Sequence, residues 1–353
     1  MSGKTIFAAA VLVAVTLSLR AGLAEEATPA QSIRKTLSSV RLGSPVSQRG
    51  MTIIPIIARS ESALGLRTLS EALKSGSVVV REIGDGRVNE LSVENKSDAY
   101  VFILAGQILV GAKQNRVLQS DLLLPPHSGR VSVEAFCVEH GRWRDESGGG
   151  ARSGTFARTD NVSNPEVRAA ARATKSQTSV WGAVSESQEK VKAPNSTSDL
   201  NKIYHEPKVA QDAKVYVDAF STLPERVPDM RGAVVFVNGR LMAVDYFGDG
   251  RVFRNLWQPL LASYVLEAVG DGGAQKANLT MAREFLQRAG RADVTRQATP
   301  GAGTLVELNG VGLSGSSLLA SDDLLHLELF ARTRADDQPR TPNEPPIQRQ
   351  YSR

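Results

Sequence analysis

Residues Ala233–Phe247 read AVVFVNGRLMAVDYF, and Asp249–Val269 follow as DGRVFRNLWQPLLASYVLEAV. Two apolar runs flank Asn238-Gly239, a pair that tolerates the positive φ needed at both central positions of a type I′ turn, so the first stretch predicts a two-stranded hairpin. Asp249 then offers a carboxylate to the free N–H groups that open a helix. From Arg251 to Val269 the apolar period lengthens to that of a helix: Phe253, Leu256, Trp257, Leu260, Leu261, Tyr264, Val265 and Ala268 form one wide face. Pro259 within that face predicts a kink or a split, and Gly270 predicts a stop. A hairpin followed directly by such a helix shares a core with it, which points to an α+β fold.

Toward the C-terminus, Leu279–Ala289 predicts a shorter amphipathic helix closed by Gly290. Val294, Leu305–Leu308, Val311–Leu313 and Leu324–Phe330 predict closing strands. His326 lies within the last of these and reads as a hydrogen-bonded core residue, and Asp245 as a cap or brace for the helix that follows it. Toward the N-terminus, Asn164–Phe220 is polar and largely helical, with Pro165 at the first helical position after Ser163 or Asn164 as a cap. Glu146–Thr159, which contains Gly148-Gly149-Gly150, reads as a linker or flap. From Ser77 to Val138 the period is two: Val78–Ile83, a turn at Asp85-Gly86, then Val88–Glu94, Tyr100–Leu104, Gln107–Val110, Arg116–Leu118, Asp121–Leu124 and Val131–Val138. Short strands at this density predict a β-sandwich or a strongly curved sheet. Met51–Arg59 is a further strand, with Pro55 suited to an edge or bulge, and Arg67–Lys74 a short helix with Thr68 or Ser70 near its start. The expected architecture is therefore α+β: a β-sandwich-like N-terminal half, a helical middle and a hairpin-helix-strand C-terminal half. One domain runs from 50 to 331, behind a flexible leader at 25–49. Residues 332–353, rich in Pro, Asp, Gln and Arg, read as a disordered tail.

The first 24 residues have the form of a secretory signal peptide: Lys4, an apolar run from Ile6 to Leu19, and Gly22-Leu23-Ala24 before the cleavage point. The run falls short of the ~20 apolar residues that span a bilayer, and no second stretch of spanning length follows, so a mature chain without a transmembrane segment, periplasmic or secreted, is expected. The whole chain carries a formal net charge of +5; Lys4 and Arg20 leave with the signal segment, which holds no acid, so the remainder carries +3. That balance and the scatter of the basic residues argue against nucleic acid. Cys137 is the single cysteine, so no intramolecular disulfide forms. The four histidines (His127, His140, His205 and His326) have no zinc-hydrolase spacing. No metal site is expected, and the residues name no cofactor.

Candidate chemistry concentrates in Ala105–Trp143, AGQILVGAKQNRVLQSDLLLPPHSGRVSVEAFCVEHGRW. Glu139 ends an apolar strand just before Gly141, a place for a general base or a metal ligand; its alternative is a salt bridge to Arg116 or Arg142. Cys137 invites a nucleophile reading with His140 as base, but three residues apart on a strand they point to opposite faces. Lys113, Gln114, Asn115 and Arg116, after Gly111, read either as an anion-gripping loop or as a solvated hairpin turn. The catalytic candidates are thus Glu139, Cys137 and His140, and the ligand-binding candidates Lys113–Arg116 and Arg142. Trp143 reads as a core anchor.

Three segments together resemble the ARPP-1 family: GQILVGAKQNRVL (Gly106–Leu118) with Pro125 and FCVEHGRW (Phe136–Trp143); Val180-Trp181; and VFVNGR (Val235–Arg240) with DYFG (Asp245–Gly248) and Leu256-Trp257. The resemblance covers residues from about 50 to 331. The family is named for its association with ADP-ribosylglycohydrolase and rhodanese-phosphatase partners, and the resemblance implies its fold and a link to nucleotide or ADP-ribose metabolism. Two functions stay open. One is an exported module that binds a small molecule or a protein. The other is a hydrolase-like enzyme acting on a phosphorylated or ADP-ribose-derived ligand, with Glu139 as base; a second carboxylate or histidine converging on Glu139 would favour it.

Overall fold

The structure, a computed structural model, describes residues 27–59, 64–84, 87, 89–142, 154–271 and 273–332. The signal segment, the Asp85-Gly86 turn, Trp143, the Gly148–Gly150 run and the tail beyond Arg332 lie outside the described residues. The expected flexible leader is corrected: much of it forms α1 (Pro29–Ser39), β1 (Arg41–Leu42) and β2 (Val46–Gln48). Thr28 and Gln31 cap α1 reciprocally and Pro29 occupies its first turn. Its buried stripe is short, little more than Ile33 with Leu37 half-buried, too sparse to stand out from the polar run. β3 (Met51–Ile57) follows. β1 pairs with Ile56 and Ile57, and β2 with Met51–Ile53, so the missing N–H of Pro55 falls between two edge partners.

β4 (Arg67–Thr68) runs into α2 (Leu69–Lys74), which Thr68 and Glu71 cap. Then come β5 (Val78–Glu82), β6 (Glu90–Asn95), β7 (Val101–Ile103), β8 (Gln107–Gly111), β9 (Arg116–Leu118), β10 (Leu122–Leu124), β11 (Gly129–Cys137) and β12 (Thr155–Val162). Six of them close into an antiparallel barrel in the order β11-β6-β5-β12-β8-β9. The curved-sheet expectation thus takes the form of one sheet rolled on itself, not two stacked sheets. β12 completes the ring by pairing with both β5 and β8. Its sequence, TFARTDNV, has no clean apolar alternation, which is why most of it reads as linker from sequence alone. Leu69, Val80, Leu91, Val93, Leu109 and Phe156 belong to the barrel's own core, whereas Ile108, Val110 and Phe136 join the larger core shared with the helices.

The helical middle comprises α3 (Pro165–Thr174), α4 (Gln177–Lys190), α5 (Leu200–His205), α6 (Pro207–Phe220) and α7 (Leu223–Arg226). The hairpin is β13 (Met230–Val237) and β14 (Arg240–Phe247), with φ of 49° at Asn238 and 73° at Gly239, as a type I′ turn requires. α8 (Gly250–Ala268) opens on Asp249, which accepts the N–H groups of Arg251 (2.7 Å) and Val252 (3.1 Å). It remains one helix through Pro259. The proline is only half-buried, and the carbonyl it leaves without a helical partner belongs to exposed Asn255, on the solvent side of the helix, so no buried polar group is stranded. α9 (Leu279–Ala289), β15 (Asp293–Gln297), β16 (Thr304–Gly310), β17 (Leu313–Ala320) and β18 (Asp323–Ala331) complete the chain. β17 is far longer than expected because Ser314-Gly315-Ser316-Ser317 hides it; Val311 stands in the preceding turn, 87 % exposed.

The large sheet runs β1-β3-β13-β14-β18-β17-β16-β15. One face, with Ile54, Val234, Phe236 and Leu327, is covered by α1 and α9. The other, with Val235, Ala243, Phe247 and Phe330, packs on α8, the middle helices and the outside of the barrel. Hairpin and α8 therefore share a core. Among the described residues no helix is long and apolar enough to cross a membrane.

Candidate functional site

The Lys113–Arg116 loop joins β8 to β9 and is packed, not open: Gln114, Asn115 and Arg116 are buried. Positive φ at Gly111 (137°) and Ala112 (47°) turns the chain, and a Cβ at Gly111 would meet the Thr155 carbonyl oxygen at 2.7 Å. Asn115 ties two carboxylates together. Its N–H donates to Glu139 Oε2 (3.1 Å), and its Nδ2 donates to both carboxylate oxygens of Asp199 (3.1 Å each). Glu139 is gripped by Arg142, whose Nε lies 2.9 Å from both carboxylate oxygens and whose guanidinium also donates to the Ala112 carbonyl (2.7 Å). Asp199 opens α5, accepts the Asn201 N–H (2.9 Å) and meets Glu139 in a β-bridge. Burial, and then the charge of Glu139, push the Asp199 carboxyl above its ordinary range. A second carboxylate does therefore converge on Glu139.

Arg116 is not its partner. It bonds Gln114 Oε1 (3.0 Å), lies 3.9 Å from Glu82 and contacts Cys137 Sγ. Gln114 Nε2 in turn holds the His140 carbonyl (3.2 Å), and the Lys113 N–H donates to Glu82 Oε1 (3.1 Å). Burial pushes the Cys137 thiol up to about 11, against the pull of Arg116, far from the depressed values of reactive cysteines. Its backbone is clamped on both sides by Gln177. The His140 ring packs edge-on against Trp181, 4.3 Å between centroids, and burial lowers its pKa. No hydrogen bond joins it to Cys137 among the described residues. The geometry unites Asn115, Glu139 and Arg142 with Asp199, sets Gln114 with Arg116 and the His140 carbonyl, and leaves the Cys137 thiol and the His140 ring apart.

A second polar cluster, absent from the site expectations, lies where the barrel meets the large sheet. Arg168 on α3 forms a two-pronged pair with Asp245 on β14 (2.8 and 3.0 Å) and reaches Glu328 on β18 at 3.4 Å. Arg172, one helical turn on, bonds Glu328 and donates to Ser120 Oγ (3.3 Å). His326 stands between two carboxylates: Asp121 Oδ2 at 2.6 Å from Nδ1 and Asp245 Oδ1 at 3.3 Å from Nε2. Tyr264 on α8 donates to Asp245 (2.5 Å), so Asp245 does brace the following helix. Burial alone would depress His326, but the charges and hydrogen bonds of Asp121 and Asp245 outweigh it and raise the imidazole to about 9. Burial would likewise raise Asp245, yet Arg168 and His326 hold it well below the usual carboxylate range. Asp121 is lowered in the same way by His326. Three cations face three carboxylates, so the cluster is neutral although buried. Its trace in the sequence is ionisable residues on apolar faces: His326 and Glu328 two apart in LLHLELF, and Arg168 and Arg172 four apart on a helix.

Beside this cluster opens a cavity of about 560 Å³ between the barrel and the large sheet. Asp121, at its wall, turns its other oxygen to the Ala105 N–H (2.8 Å). Glu90, Glu134 and Glu307 also line it, against one lysine, Lys175, which is paired with Glu307 at 3.1 Å. None of the sequence-predicted site residues does. Among the described residues no group of three or more His, Cys, Asp or Glu side chains is arranged to hold a metal ion.

The chain matches the family model described as the ARG and Rhodanese-Phosphatase-superfamily-associated Protein domain over residues 39–330. No curated protein and no solved structure matches it.

Proposed function

The chain belongs to the ARPP-1 family, the domain associated with ADP-ribosylglycohydrolase and rhodanese-phosphatase proteins, and from that membership we propose that it is an exported module that binds a small molecule in the cavity between barrel and sheet. One observation carries this reading: four carboxylates line a concave space of about 560 Å³, and while Asp121, Glu90 and Glu307 have cationic partners in His326, Arg87 and Lys175, Glu134 adds a negative charge to the wall. A wall left negative by Glu134 favours cationic, hydroxyl-rich ligands over phosphates. Export rests on the Lys4, Ile6–Leu19 and Gly22-Leu23-Ala24 pattern. Thermal denaturation with glucosamine and with ADP-ribose tests the site, because a ligand that binds only the folded state raises the melting temperature. Glucosamine is expected to raise it, and Glu134→Gln, at an exposed position, to remove the rise. A rise with ADP-ribose that Glu134→Gln leaves intact would refute this assignment.

A second reading is supported by Asp199 beside Glu139: two adjacent carboxyl groups, one pushed toward its neutral form, are the division of labour that acid–base hydrolysis uses. It would act on a phosphorylated or ADP-ribose-derived ligand with Glu139 as base. Hydrolysis of ADP-ribose or a phosphomonoester, abolished by Asp199→Asn in a protein that still melts cooperatively, would support it. Equal turnover in the variant would sink it.

A further inference from the structure

The face of the large sheet opposite the barrel carries a feature that neither site uses. α1 and α9 lie on it, and a cleft of about 730 Å³ runs between them. Four arginines rim this cleft: Arg34 on α1, Arg41 on β1, Arg283 on α9 and Arg291 just beyond it. All four are exposed, and among the described residues no carboxylate lines the space. The adjoining cleft on the other side of α1 is different, since Asp322 and Asp323 sit among its basic residues. Arg34 Nε is anchored on the Gly290 carbonyl at 3.1 Å, which fixes one guanidinium across the cleft from α1 to the end of α9. The floor is aliphatic, with Leu37, Val40 and Leu286 in it. These arginines are dispersed in sequence, from 34 to 291, and only the fold gathers them.

We propose that this cleft docks an acidic peptide segment of a partner protein, with aliphatic side chains on the floor and carboxylates on the arginine rim. Charge complementarity and shape both argue for that occupant. Like charges brought together without a counter-charge repel one another, and a ligand that supplies the missing anions relieves the repulsion. Guanidinium forks match carboxylates in two-pronged geometry. A free phosphate would satisfy the rim but leave the aliphatic floor wet. An anionic membrane is flat and would meet the rim without entering the cleft. A peptide that alternates acidic and aliphatic residues serves both parts, and apolar anchors surrounded by polar contacts are the usual anatomy of a recognition site.

Fluorescence anisotropy of a labelled short peptide alternating glutamate and leucine, titrated with the full chain, tests this. The double variant Arg283→Glu/Arg291→Glu changes two exposed side chains and is expected to weaken binding by at least about tenfold, with an unchanged melting temperature. Lys214→Glu, an exposed charge reversal on α6, is expected to leave binding unchanged, and a glutamate-serine peptide to bind more weakly than glutamate-leucine. Four results would each overturn the proposal: no binding of the glutamate-leucine peptide; equal weakening by Lys214→Glu; equal affinity for the glutamate-serine peptide, which would mark a site for anions in general; and binding to phosphatidylglycerol vesicles that the peptide fails to displace.

Discussion

Raising the pH should weaken the protein through His326, and the effect has a size. The ordinary imidazole value is 6.5 and the folded one about 9, with the ring fully buried between Asp121 and Asp245. At about 1.4 kcal/mol per pH unit separating the two, the charged form contributes about 3–4 kcal/mol. Because the folded value is the higher, that contribution is complete below about pH 6.5 and is lost as pH rises through about 9. The groups around the ring agree with this direction: Arg168 stays charged throughout, and Asp121 and Asp245, both held low, stay ionised. Deprotonation therefore leaves two carboxylates facing a neutral ring. Urea denaturation at intervals from about pH 6 to about pH 10 measures the slope. His326→Gln is less stable at low pH, since it removes the cation, but it has nothing left to lose at high pH, so the two stability curves should converge. Parallel curves for the two proteins would refute the reasoning, because the slope would then come from other groups.

Three further outcomes are expected. Trp257→Ala should cost about 3–5 kcal/mol by urea denaturation, because the ring is buried against Phe253 and Tyr264 and its Nε1 donates to the Phe220 carbonyl at 3.1 Å; an unchanged midpoint would mean that α8 does not pack as described. Arg142→Ala should destabilise by about 3–5 kcal/mol by leaving Glu139 buried and unpaired, whereas Arg142→Ala combined with Glu139→Leu should recover much of that loss. If export occurs as proposed, intact-mass analysis of the periplasmic or secreted protein should find Glu25 as its first residue, and a retained N-terminus in a membrane fraction would favour an uncleaved anchor.

What the sequence made legible is what local periodicity and turn chemistry control. Asn238-Gly239, Asp249, Pro165 and Gly290 mark their elements correctly because each signal acts within a few residues. Pairing is not local. Nothing in TFARTDNV states that it will lie between β5 and β8, so the closed barrel could not be told from a sandwich, and most of Leu313–Ala320 carries no strand signal because Ser316 and Ser317 find their partners only on β18, in Glu328 and the His326 carbonyl. At the site the same limit applies. Glu139 and Asn115 are visible as polar residues in an apolar setting, but the choice between Arg116 and Arg142 depends on which way each long side chain leaves its strand. Asp199, 60 positions further on, becomes a neighbour of Glu139 only through the β-bridge between them.

The six-charge cluster bears on how the halves of the molecule hold together. Asp121 comes from the barrel's β9–β10 turn, Arg168 and Arg172 from α3, and Asp245, His326 and Glu328 from the large sheet. Buried ion pairs contribute little net stability against apolar side chains of the same shape, because desolvation offsets most of the attraction. Removing one partner is a different matter, since it strands a charge in a dry interior. Docking the barrel on the sheet in any other register would strand several at once, so the cluster discriminates against wrong arrangements more strongly than it stabilises the right one. The apolar core common to barrel, helices and sheet supplies the attraction, and its side chains, Phe102, Val117 and Phe247 among them, are tolerant of small shifts. The charges are not tolerant. They fix the relation between Asp121, at the cavity wall, and the strands behind it. That makes the cavity's shape a property of the cluster: Asp121→Asn, which keeps the shape of the side chain but removes its charge, should alter glucosamine binding more than any single aliphatic substitution in the shared core does.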